Sequence, residues 1–388
     1  MTPHFQATII GAGQAGLAAA HELARRGLVP GTDFAVLDAN EGPGGAWRHR
    51  WDSLTLGKAH GIADLPGLPM KRPDPTVPSS TLVTEYYGDY EDRFDLKVIR
   101  PAKVSRVEPA DERDPTGPLR VISKAGEFTT DVLLNSTGTW DNPYVPYIPG
   151  IEDFEGLQMH TRDYASPEEF RGKKTLVVGG GLSAIQFLLE LEDVTETVWA
   201  TRRPPNFTNR WKDEDRQWGL DVEDAVRERT FAGERPASVV RTTGIGMIPD
   251  YVDGVRRGLL VSHGMFDQIT PTGVVFGEPL TQKAEGLGPS ENGELVFPES
   301  WDPFPAGTVV GDVDVIFWNT GFRASLRHLA PLKLRSRLGG IEMADEVTTT
   351  ANPRVLLVGY GSTASTIGAT RAGRKAGRVA HQFLRAQA

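Results

Sequence analysis

Short apolar runs alternate with glycine-rich turns and helical patterns along the chain. Residues 7–10 have the continuous apolar character of a buried parallel strand, residues 15–26 have a helical pattern, and residues 34–37 form the next apolar run. The same strand–helix–strand order recurs over residues 175–200. The pattern therefore predicts two β-α-β units and an α/β fold with two Rossmann-like dinucleotide-binding domains.

Two short motifs indicate how these domains follow one another. Asn135–Gly138 and Asn319–Gly321 resemble each other, and each follows an apolar strand. One motif precedes the second β-α-β unit and the other follows it, as expected for an inserted domain. We therefore predict one domain from residues 1–145 and 312–388, with residues 146–311 inserted as the second domain.

Weaker patterns predict smaller elements between these strands. Residues 96–99, 104–107 and 119–122 alternate between apolar and polar side chains, which is typical of a small antiparallel sheet. Ser166–Glu169 has the spacing of a capping box and predicts a short helix.

Each β-α-β unit carries a glycine-rich loop between its first strand and its helix. The loops are Gly11-Ala-Gly13-Gln-Ala-Gly16 and, later, residues 179–184, in which alanine takes the third small position. The first glycine permits a tight turn, the second lets the backbone approach a pyrophosphate, and the helix N-terminus offers N–H groups to the phosphates. One such loop is a weak signal, but two in the same context predict two bound nucleotides.

The residue that ends the second strand of each unit distinguishes the two nucleotides. In the first unit it is Asp38, whose carboxylate suits ribose hydroxyls. In the second unit Thr201 is followed by Arg202 and Arg203, without a carboxylate. Arginine pairs with a 2′-phosphate, and each charge-assisted hydrogen bond contributes about 1.5–3 kcal/mol. The sequence therefore predicts NADPH rather than NADH, and the alternative is two solvated surface arginines.

Composition narrows the chemistry further. The chain has no cysteine, which excludes a disulfide, an iron–sulfur cluster and a redox dithiol, so redox chemistry must reside on a bound cofactor. The eight histidines show no metal-ligand spacing, and we predict no metal. The net charge of −9 disfavours nucleic acid as a partner. With no long apolar run and no signal-peptide pattern, we expect a cytoplasmic protein without a membrane partner, and base rates favour a homodimer.

Two further motifs carry a resemblance to a known family. The segment from Phe154 to Tyr164, with the pattern F-x-G-x-x-x-H-x-x-x-Y, resembles the fingerprint of flavin-containing monooxygenases and their Baeyer–Villiger relatives. The terminal tyrosine is closer to the former group. Residues 44–48 and 51–54 are similar to the flavin-contacting loop of the same superfamily. The resemblance, to the class B flavin-dependent monooxygenases, covers most of the chain outside residues 205–310.

The resemblance implies FAD in the first domain and NADPH in the inserted domain. The residues implied for FAD are Gly11, Gly13, Gln14, Ala15, Gly16, Asp38, Gly45, Ala46, Trp47, Val104 and Gly361, with Gly138 and Gly321 at the strand ends that match the domain-crossing segments. The residues implied for NADPH are Gly179, Gly181, Leu182, Ser183, Ala184, Arg202 and Arg203.

The resemblance also implies a reaction. Hydride passes from NADPH to the flavin, the reduced flavin takes up O₂, and a flavin C4a-(hydro)peroxide transfers one oxygen atom to a small-molecule sulfide or amine, or to a ketone. Many family members have an asparagine beside the reactive flavin carbon, where this chain has Gly57, Lys58 and His60. Lys58 and His60 are candidate polar groups there, and a solvated lysine and a loop histidine are the alternative. We expect Trp211 and Trp218 to pack in the core.

Alternatives to oxygen transfer remain open at this point. A disulfide reductase would share the fold but needs a dithiol that the chain lacks. An NADPH:acceptor oxidoreductase or NADPH oxidase would use the same two nucleotides without transferring oxygen. A non-catalytic flavin- or nucleotide-binding sensor would retain the nucleotides without turnover. For His160, within the family motif, a structural hydrogen-bonding role is expected.

Overall fold

The structure, a computed structural model, describes residues 2–59, 62–71, 74–208, 226–236, 244–280 and 296–387. The chain divides into two compact units. Unit 1 comprises Met1–Asn142, Glu223–Pro236 and Ala324–Ala388, and unit 2 comprises Pro143–Val222 and Ala237–Arg323. The predicted division into residues 1–145 and 312–388, with residues 146–311 inserted, stays a prediction. Within the described ranges, no helix is long and apolar enough to cross a membrane.

Strands and helices are interspersed along the chain. The strands are β1 (His4–Ile10), β2 (Phe34–Leu37), β3 (Val104–Pro109), β4 (Leu119–Ser123), β5 (Gly126–Asn135), β6 (Leu157–His160), β7 (Lys174–Val178), β8 (Glu196–Ala200), β9 (Phe207–Thr208), β10 (Ile245–Gly246), β11 (Phe266–Thr270), β12 (Gly273–Phe276), β13 (Val309–Val310), β14 (Val315–Trp318) and β15 (Val355–Leu357). The helices are α1 (Gln14–Arg25), α2 (Ser79–Arg93), α3 (Leu182–Leu191), α4 (Pro249–Arg256) and α5 (Thr366–Gln387), and residues 226–231 are also helical.

The main sheet of unit 1 has the strand order β2-β1-β5-β4-β3, and β15 also pairs with β5. The pairings of β1 with β2 and β5, and of β5 with β15, are parallel, whereas β3, β4 and β5 form an antiparallel meander. The antiparallel pairing predicted for residues 104–107 and 119–122 is confirmed, and the prediction is wrong for residues 96–99. Residues 104–107 and 119–122 extend the main sheet, because β5 is long enough to pair with both β1 and β4. Residues 96–99 form no strand and only an isolated bridge from Ile99 to Leu37.

Small residues bring α1 and α5 of unit 1 into close contact. A Cβ atom on Gly373 would overlap the carbonyl oxygen of Ala15, and one on Gly377 would lie 2.8 Å from the Cβ of Glu22. Ala19 and Ala376 are fully buried in the same cluster. The helix that starts at the first glycine loop is thus held by the C-terminal helix.

The main sheet of unit 2 has four parallel strands in the order β6-β14-β7-β8. Beside it are a three-stranded antiparallel sheet, β11-β12-β13, and the short parallel pair of β9 and β10. Tyr164, Phe170, Phe187 and Phe317 form an aromatic cluster, with ring centroids 4.4–5.8 Å apart in the contacting pairs.

The capping box predicted at Ser166–Glu169 is wrong. Ser166 makes no side-chain hydrogen bond to the following turn, which is a single turn of 3₁₀ helix at Pro167–Phe170. A reciprocal cap instead forms just upstream, where the side chain of His160 accepts a hydrogen bond from the backbone and Asp163 accepts one from the backbone N–H of His160.

Candidate functional site

The first glycine loop of unit 1 is shaped by steric contact with the end of β5. Gly11 has a φ of +99°, and a Cβ atom there would lie 2.5 Å from the carbonyl oxygen of Ser136. A Cβ atom on Gly16 would overlap the carbonyl oxygen of Gly11, so the third glycine allows α1 to pack on the loop. Gly13 is the N-cap of α1 and has no side chain to satisfy the first-turn N–H groups. These N–H groups are therefore available for an anion.

Asp38 follows β2 and is held beside this loop. Its Oδ2 accepts a hydrogen bond from the backbone N–H of Ala12 at 3.0 Å, and its Oδ1 accepts one from that of Asn40 at 2.8 Å. Arg100 lies 3.6 Å from Oδ2 and pairs more closely with Glu91, at 2.6 Å. The buried carboxylate is thus oriented by the backbone, and its remaining lone pairs suit ribose hydroxyls.

A cavity of about 970 Å³ lies in unit 1 along this loop, at the upper end of the usual range for ligand sites. The predicted residues that line it are Gly11, Gly13, Gln14, Ala15, Asp38, Gly45, Ala46, Trp47, Val104 and Gly138. Other lining residues were not predicted, among them His49, Tyr87, Trp140, Ser325, His328 and Ser365. No local pattern marks them, because they come from helix α2 and from loops that only the fold brings to the cavity.

Three predicted FAD residues do not line the cavity. Gly16 serves the packing of α1, and Gly321 lies in unit 2. Gly361 packs against the helical segment at 226–231, since a Cβ atom there would lie 2.5 Å from the hydroxyl oxygen of Thr230. Its neighbour Gly359 lines the cavity instead.

The side chain of Gln14 is engaged within the protein. Its Nε2 donates to the carbonyl oxygen of Ala63 and to the hydroxyl of Thr370, each at 2.8 Å, and Tyr87 donates its hydroxyl to Oε1. Burial raises the pKa of Tyr87, so its hydroxyl remains a donor. Gln14 therefore offers a nucleotide its backbone N–H rather than its side chain.

The loop at Gly44–Trp47 lies over the first glycine loop. A Cβ atom on Gly45 would lie 2.9 Å from the Cα of Gly13, so the two backbones approach closely. Beyond it, the guanidinium of Arg50 lies 4.3 Å from the ring centroid of Trp140 and 5.9 Å from that of Trp47. Burial lowers the pKa of Arg50 to about 10, which still leaves a cation behind the aromatic wall at neutral pH.

The second glycine loop has the same geometry in unit 2. Gly179 has a φ of +140°, and a Cβ atom there would overlap the carbonyl oxygen of Asn319 at the end of β14. Gly181 is the N-cap of α3, again without a capping side chain. Ala184 is fully buried, as a small third residue should be. Leu182 and Ser183, the other two predicted residues, begin α3 and are half-buried.

Arg202 and Arg203 follow β8 in unit 2. Arg202 is exposed and Arg203 is half-buried. Thr201 is buried, and its hydroxyl lies 2.6 Å from the carbonyl oxygen of Arg203, which shapes the turn. Across the part of the chain that the structure describes, no hydrogen bond or ion pair of either guanidinium is present. Both residues follow the carboxyl end of β8, the strand after the second glycine loop.

His160 and Tyr164 of the predicted fingerprint have structural contacts in unit 2. The Nδ1 of His160 accepts from the backbone N–H of Arg162 at 3.1 Å, and its Nε2 lies 3.0 Å from the carbonyl oxygen of Gly321. Burial lowers the pKa of His160, which keeps the ring neutral. Tyr164 donates its hydroxyl to Glu190 at 2.8 Å. The motif therefore ties β6 to the end of β14.

Lys58 is exposed and is not among the residues that line the cavity. His60, Trp211 and Trp218 lie outside the described residues. The proposed roles of Lys58 and His60 stay predictions.

The residues of unit 1 fit FAD on several independent observations. The glycine loop leaves room for a diphosphate at a helix N-terminus, Asp38 presents an oriented carboxylate, and the cavity is of nucleotide size. Ser325, which lines the cavity, has a buried hydroxyl without a hydrogen-bond partner among the described residues. A ligand with polar groups would satisfy it once the side chain rotates toward the cavity.

Two units, each with a glycine loop between a parallel strand and a helix, define a flavoprotein with two dinucleotide-binding domains. A model of the pyridine nucleotide-disulphide oxidoreductase family matches residues 8–235, and the chain belongs to this family. The predicted α/β fold with two Rossmann-like domains is confirmed by solved structures of such flavoproteins.

The full length of the chain resembles a flavin-containing monooxygenase from Stenotrophomonas maltophilia. The two share 31% sequence identity with a TM-score of 0.74, over 98% of this chain and 99% of that chain. A bacillithiol disulfide reductase from Staphylococcus aureus has a TM-score of 0.65 at 16% identity, which shows a shared fold alone.

Curated relatives match over part of their length. An indole-3-pyruvate monooxygenase of Oryza sativa subsp. japonica is 39% identical over 187 residues, which are 48% of this chain and 44% of that protein. The chain spans about half the length of the curated relatives it matches. The predicted resemblance to class B flavin-dependent monooxygenases is confirmed, and the chain is a flavin-dependent oxidoreductase with FAD as its cofactor.

Proposed function

We propose that the chain is a FAD-dependent, NADPH-consuming monooxygenase that transfers one oxygen atom of O₂ to a small molecule. The substrate is a soft nucleophile, a sulfide or an amine, or else a ketone. The observation that carries the proposal is the cavity of unit 1, with Asp38 and the Gly44–Trp47 loop, in a chain that resembles a flavin-containing monooxygenase over its full length. The lack of cysteine argues against disulfide chemistry on the shared fold.

Residues of unit 1 would bind FAD. The backbone at Gly11–Ala15 would hold the diphosphate, and Asp38 would accept hydrogen bonds from the ribose. Trp47 and Trp140 would form an aromatic wall that keeps water from the cofactor. When bound, FAD supplies the redox chemistry, by accepting hydride and activating O₂.

Residues of unit 2 would bind NADPH. The second glycine loop would hold the diphosphate, and Arg202 and Arg203 would pair with the 2′-phosphate. Their position directly after β8, without a carboxylate at the strand end, supports this assignment, because a guanidinium fork suits a phosphate.

A second candidate is an NADPH oxidase or NADPH:acceptor reductase of the same fold. Its supporting observation is the loop after Leu54. Glycine and an exposed Lys58 occupy the place where many relatives have an asparagine. Lys58 does not line the cavity. Without a polar group beside the flavin, reduced oxygen would leave as H₂O₂.

Turnover under ¹⁸O₂ separates these functions. The full chain with FAD and NADPH is assayed against a panel of sulfides, amines and ketones, and against indole-3-pyruvate because a relative is named for it. A product that contains one ¹⁸O atom per NADPH consumed supports the monooxygenase. H₂O₂ in a one-to-one ratio to NADPH, without labelled product, supports the oxidase. No NADPH consumption with any substrate or artificial acceptor would leave a nucleotide-binding sensor and contradict both.

A further inference from the structure

Asp38 lies at one end of the cavity in unit 1. Because its carboxylate suits ribose hydroxyls, we expect the adenosine of FAD at this end. Lys103 and Val104, at the start of β3, line this end, and the backbone N–H of Ala102 donates to the carbonyl oxygen of Asp38 at 2.7 Å. A turn of 3₁₀ helix at Arg327–Leu332 packs against β3. His328, on this turn, thus contributes to the adenosine end of the cavity.

A chain of hydrogen bonds fixes the donors and acceptors behind His328. The hydroxyl of Thr137 lies 2.7 Å from the carbonyl oxygen of Ser325, which can only accept, so the hydroxyl donates its single proton there. It must then accept from the Nδ2 of Asn135, at 3.1 Å. The Oδ1 of Asn135 therefore faces His328 as an acceptor.

This arrangement selects one tautomer of His328. Its Nε2 lies 2.7 Å from the Oδ1 of Asn135, so Nε2 carries a proton and donates it. Burial lowers the pKa of His328 to about 4, and the ring is neutral at physiological pH. In a neutral ring with a proton on Nε2, Nδ1 is an acceptor.

The acceptor at Nδ1 is open to the cavity rather than used within the protein. Among the described residues Nδ1 has no hydrogen-bond partner, and unlike Nδ1 of His21 it is not sealed from solvent. The hydroxyl of Ser325, three residues away on the same cavity wall, also lacks a partner within the described ranges, but in its present rotamer it is sealed from solvent. Two uncommitted polar groups thus lie at one end of one cavity.

We propose that His328 and Ser325 bind the adenosine half of FAD through a hydrogen bond from an adenosine donor to Nδ1 of His328. The donor is a ribose hydroxyl or the exocyclic amine of adenine. The hydroxyl of Ser325 makes the second contact after rotation about its Cα–Cβ bond. The proposal rests on the assignment of FAD to unit 1, and it adds a recognition element outside the glycine loop and Asp38.

Two substitutions separate the two nitrogen atoms of the ring. In His328→Gln the side-chain amide reaches the position of Nε2 and keeps the donor to Asn135, but the acceptor at Nδ1 is lost. In His328→Asn the amide oxygen takes the position of Nδ1, and the contact with Asn135 is lost. The readouts are FAD binding to the deflavinated full chain, followed by flavin fluorescence, and competition of ADP against FAD.

His328→Gln should lower the affinities for FAD and ADP about tenfold each, the effect of losing one hydrogen bond of roughly 1.4 kcal/mol. The affinities of His328→Asn for FAD and ADP should stay within about threefold of those of the wild type. His263→Gln, a matched substitution in unit 2, should leave both affinities unchanged. Ser325→Ala should lower both affinities about threefold. This variant still tests the proposal if the histidine variants fail to fold.

Wild-type affinities in His328→Gln and Ser325→Ala would overturn the proposal. Weaker binding of FAD with an unchanged affinity for ADP would place the contact on the flavin half of FAD. This result would also overturn the proposal. A wild-type chain that binds no FAD would contradict the proposed function itself, which is a different result.

Discussion

Asp38 and the pair Arg202–Arg203 follow the second strand of their respective β-α-β units, and they differ in charge. Asp38 is buried, and both of its oxygens are oriented by backbone N–H groups. Arg202 is exposed and Arg203 half-buried. A carboxylate repels a 2′-phosphate and suits ribose hydroxyls, whereas guanidinium groups pair with the phosphate. At the scale of single residues, this difference assigns a nucleotide to each loop.

The double substitution Arg202→Ala, Arg203→Ala should raise the KM for NADPH roughly tenfold to a hundredfold and leave the KM for NADH almost unchanged. The physical reason is the loss of charge-assisted hydrogen bonds, of about 1.5–3 kcal/mol each, to a group that NADH lacks. The measurement is steady-state kinetics with both nucleotides. Arg171→Ala, which removes an exposed arginine paired with Glu168 in the same unit, is the control. An unchanged preference for NADPH in the double variant would remove these arginines from the site.

His328 should make the stability of unit 1 depend on pH. The buried ring is neutral in the folded state down to about pH 4, whereas in the unfolded chain it becomes protonated below its ordinary pKa of 6.5. The unfolded state binds more protons in this window, so stability should fall as pH falls from about 6.5 to 4, by up to roughly 3 kcal/mol. Urea unfolding of wild type and His328→Gln across this range tests it. The free energy of unfolding of the wild type should fall relative to that of His328→Gln on acidification, and parallel curves would contradict the assignment.

At the scale of elements, the contact between α1 and α5 depends on glycine. Gly373 and Gly377 allow the two backbones to approach, and α1 carries the N-terminal N–H groups at the cavity. The C-terminal helix thus supports the diphosphate site, although it lies more than 300 positions away in the sequence.

Gly373→Ala should lower the free energy of unfolding by about 1–3 kcal/mol, because the added methyl group overlaps the carbonyl oxygen of Ala15 and outweighs the gain in helix propensity. Gly88→Ala in α2 is a matched control. There the nearest atom to the new Cβ is 3.4 Å away, an ordinary contact, and stability should stay equal or rise by up to about 1 kcal/mol. Denaturant unfolding of both variants provides the measurement, and equal effects would refute the close-packing argument.

The elements also show which features could be predicted from the sequence. The two glycine loops and their flanking strands and helices were predictable, because apolar runs, glycines and the residue after the second strand are local signals. Tyr87, Ser325 and His328 were not, because their place in the cavity depends on contacts between segments far apart in the chain. The capping box at Ser166 was predicted wrongly because residue spacing alone does not fix side-chain rotamers, and Ser166 precedes its 3₁₀ turn without a side-chain hydrogen bond.

At the scale of the whole molecule, unit 1 is assembled from three stretches of chain and unit 2 from two. The short stretch Glu223–Pro236 belongs to unit 1 although the chain on either side of it belongs to unit 2. Thr230 on this stretch is buried against Gly361. The division of the chain into two units thus predicts which backbone amides each nucleotide protects from hydrogen exchange.

Addition of FAD to the deflavinated chain should slow hydrogen exchange at residues 10–16, 38–47 and 325–331, all in unit 1, by tenfold or more. NADP⁺ should do the same at residues 179–184 and 201–203 of unit 2. A ligand that binds the native state protects the amides it covers and raises the free energy of local opening, by about 2.7 kcal/mol at a hundredfold excess over Kd. Exchange followed by mass spectrometry measures both patterns, and protection of unit 2 by FAD would reverse the assignment.

The three-part construction of unit 1 also sets an order of events on the ribosome. All residues of unit 2 precede position 324, whereas β15 and α5, which belong to unit 1, follow it along the chain. Val358, Ser365 and Ala369 from this later stretch line the cavity. Unit 2 can therefore fold while unit 1 is still incomplete. Flavin uptake must then wait for the synthesis of this stretch, and a nascent chain stalled before residue 355 should be unable to retain FAD.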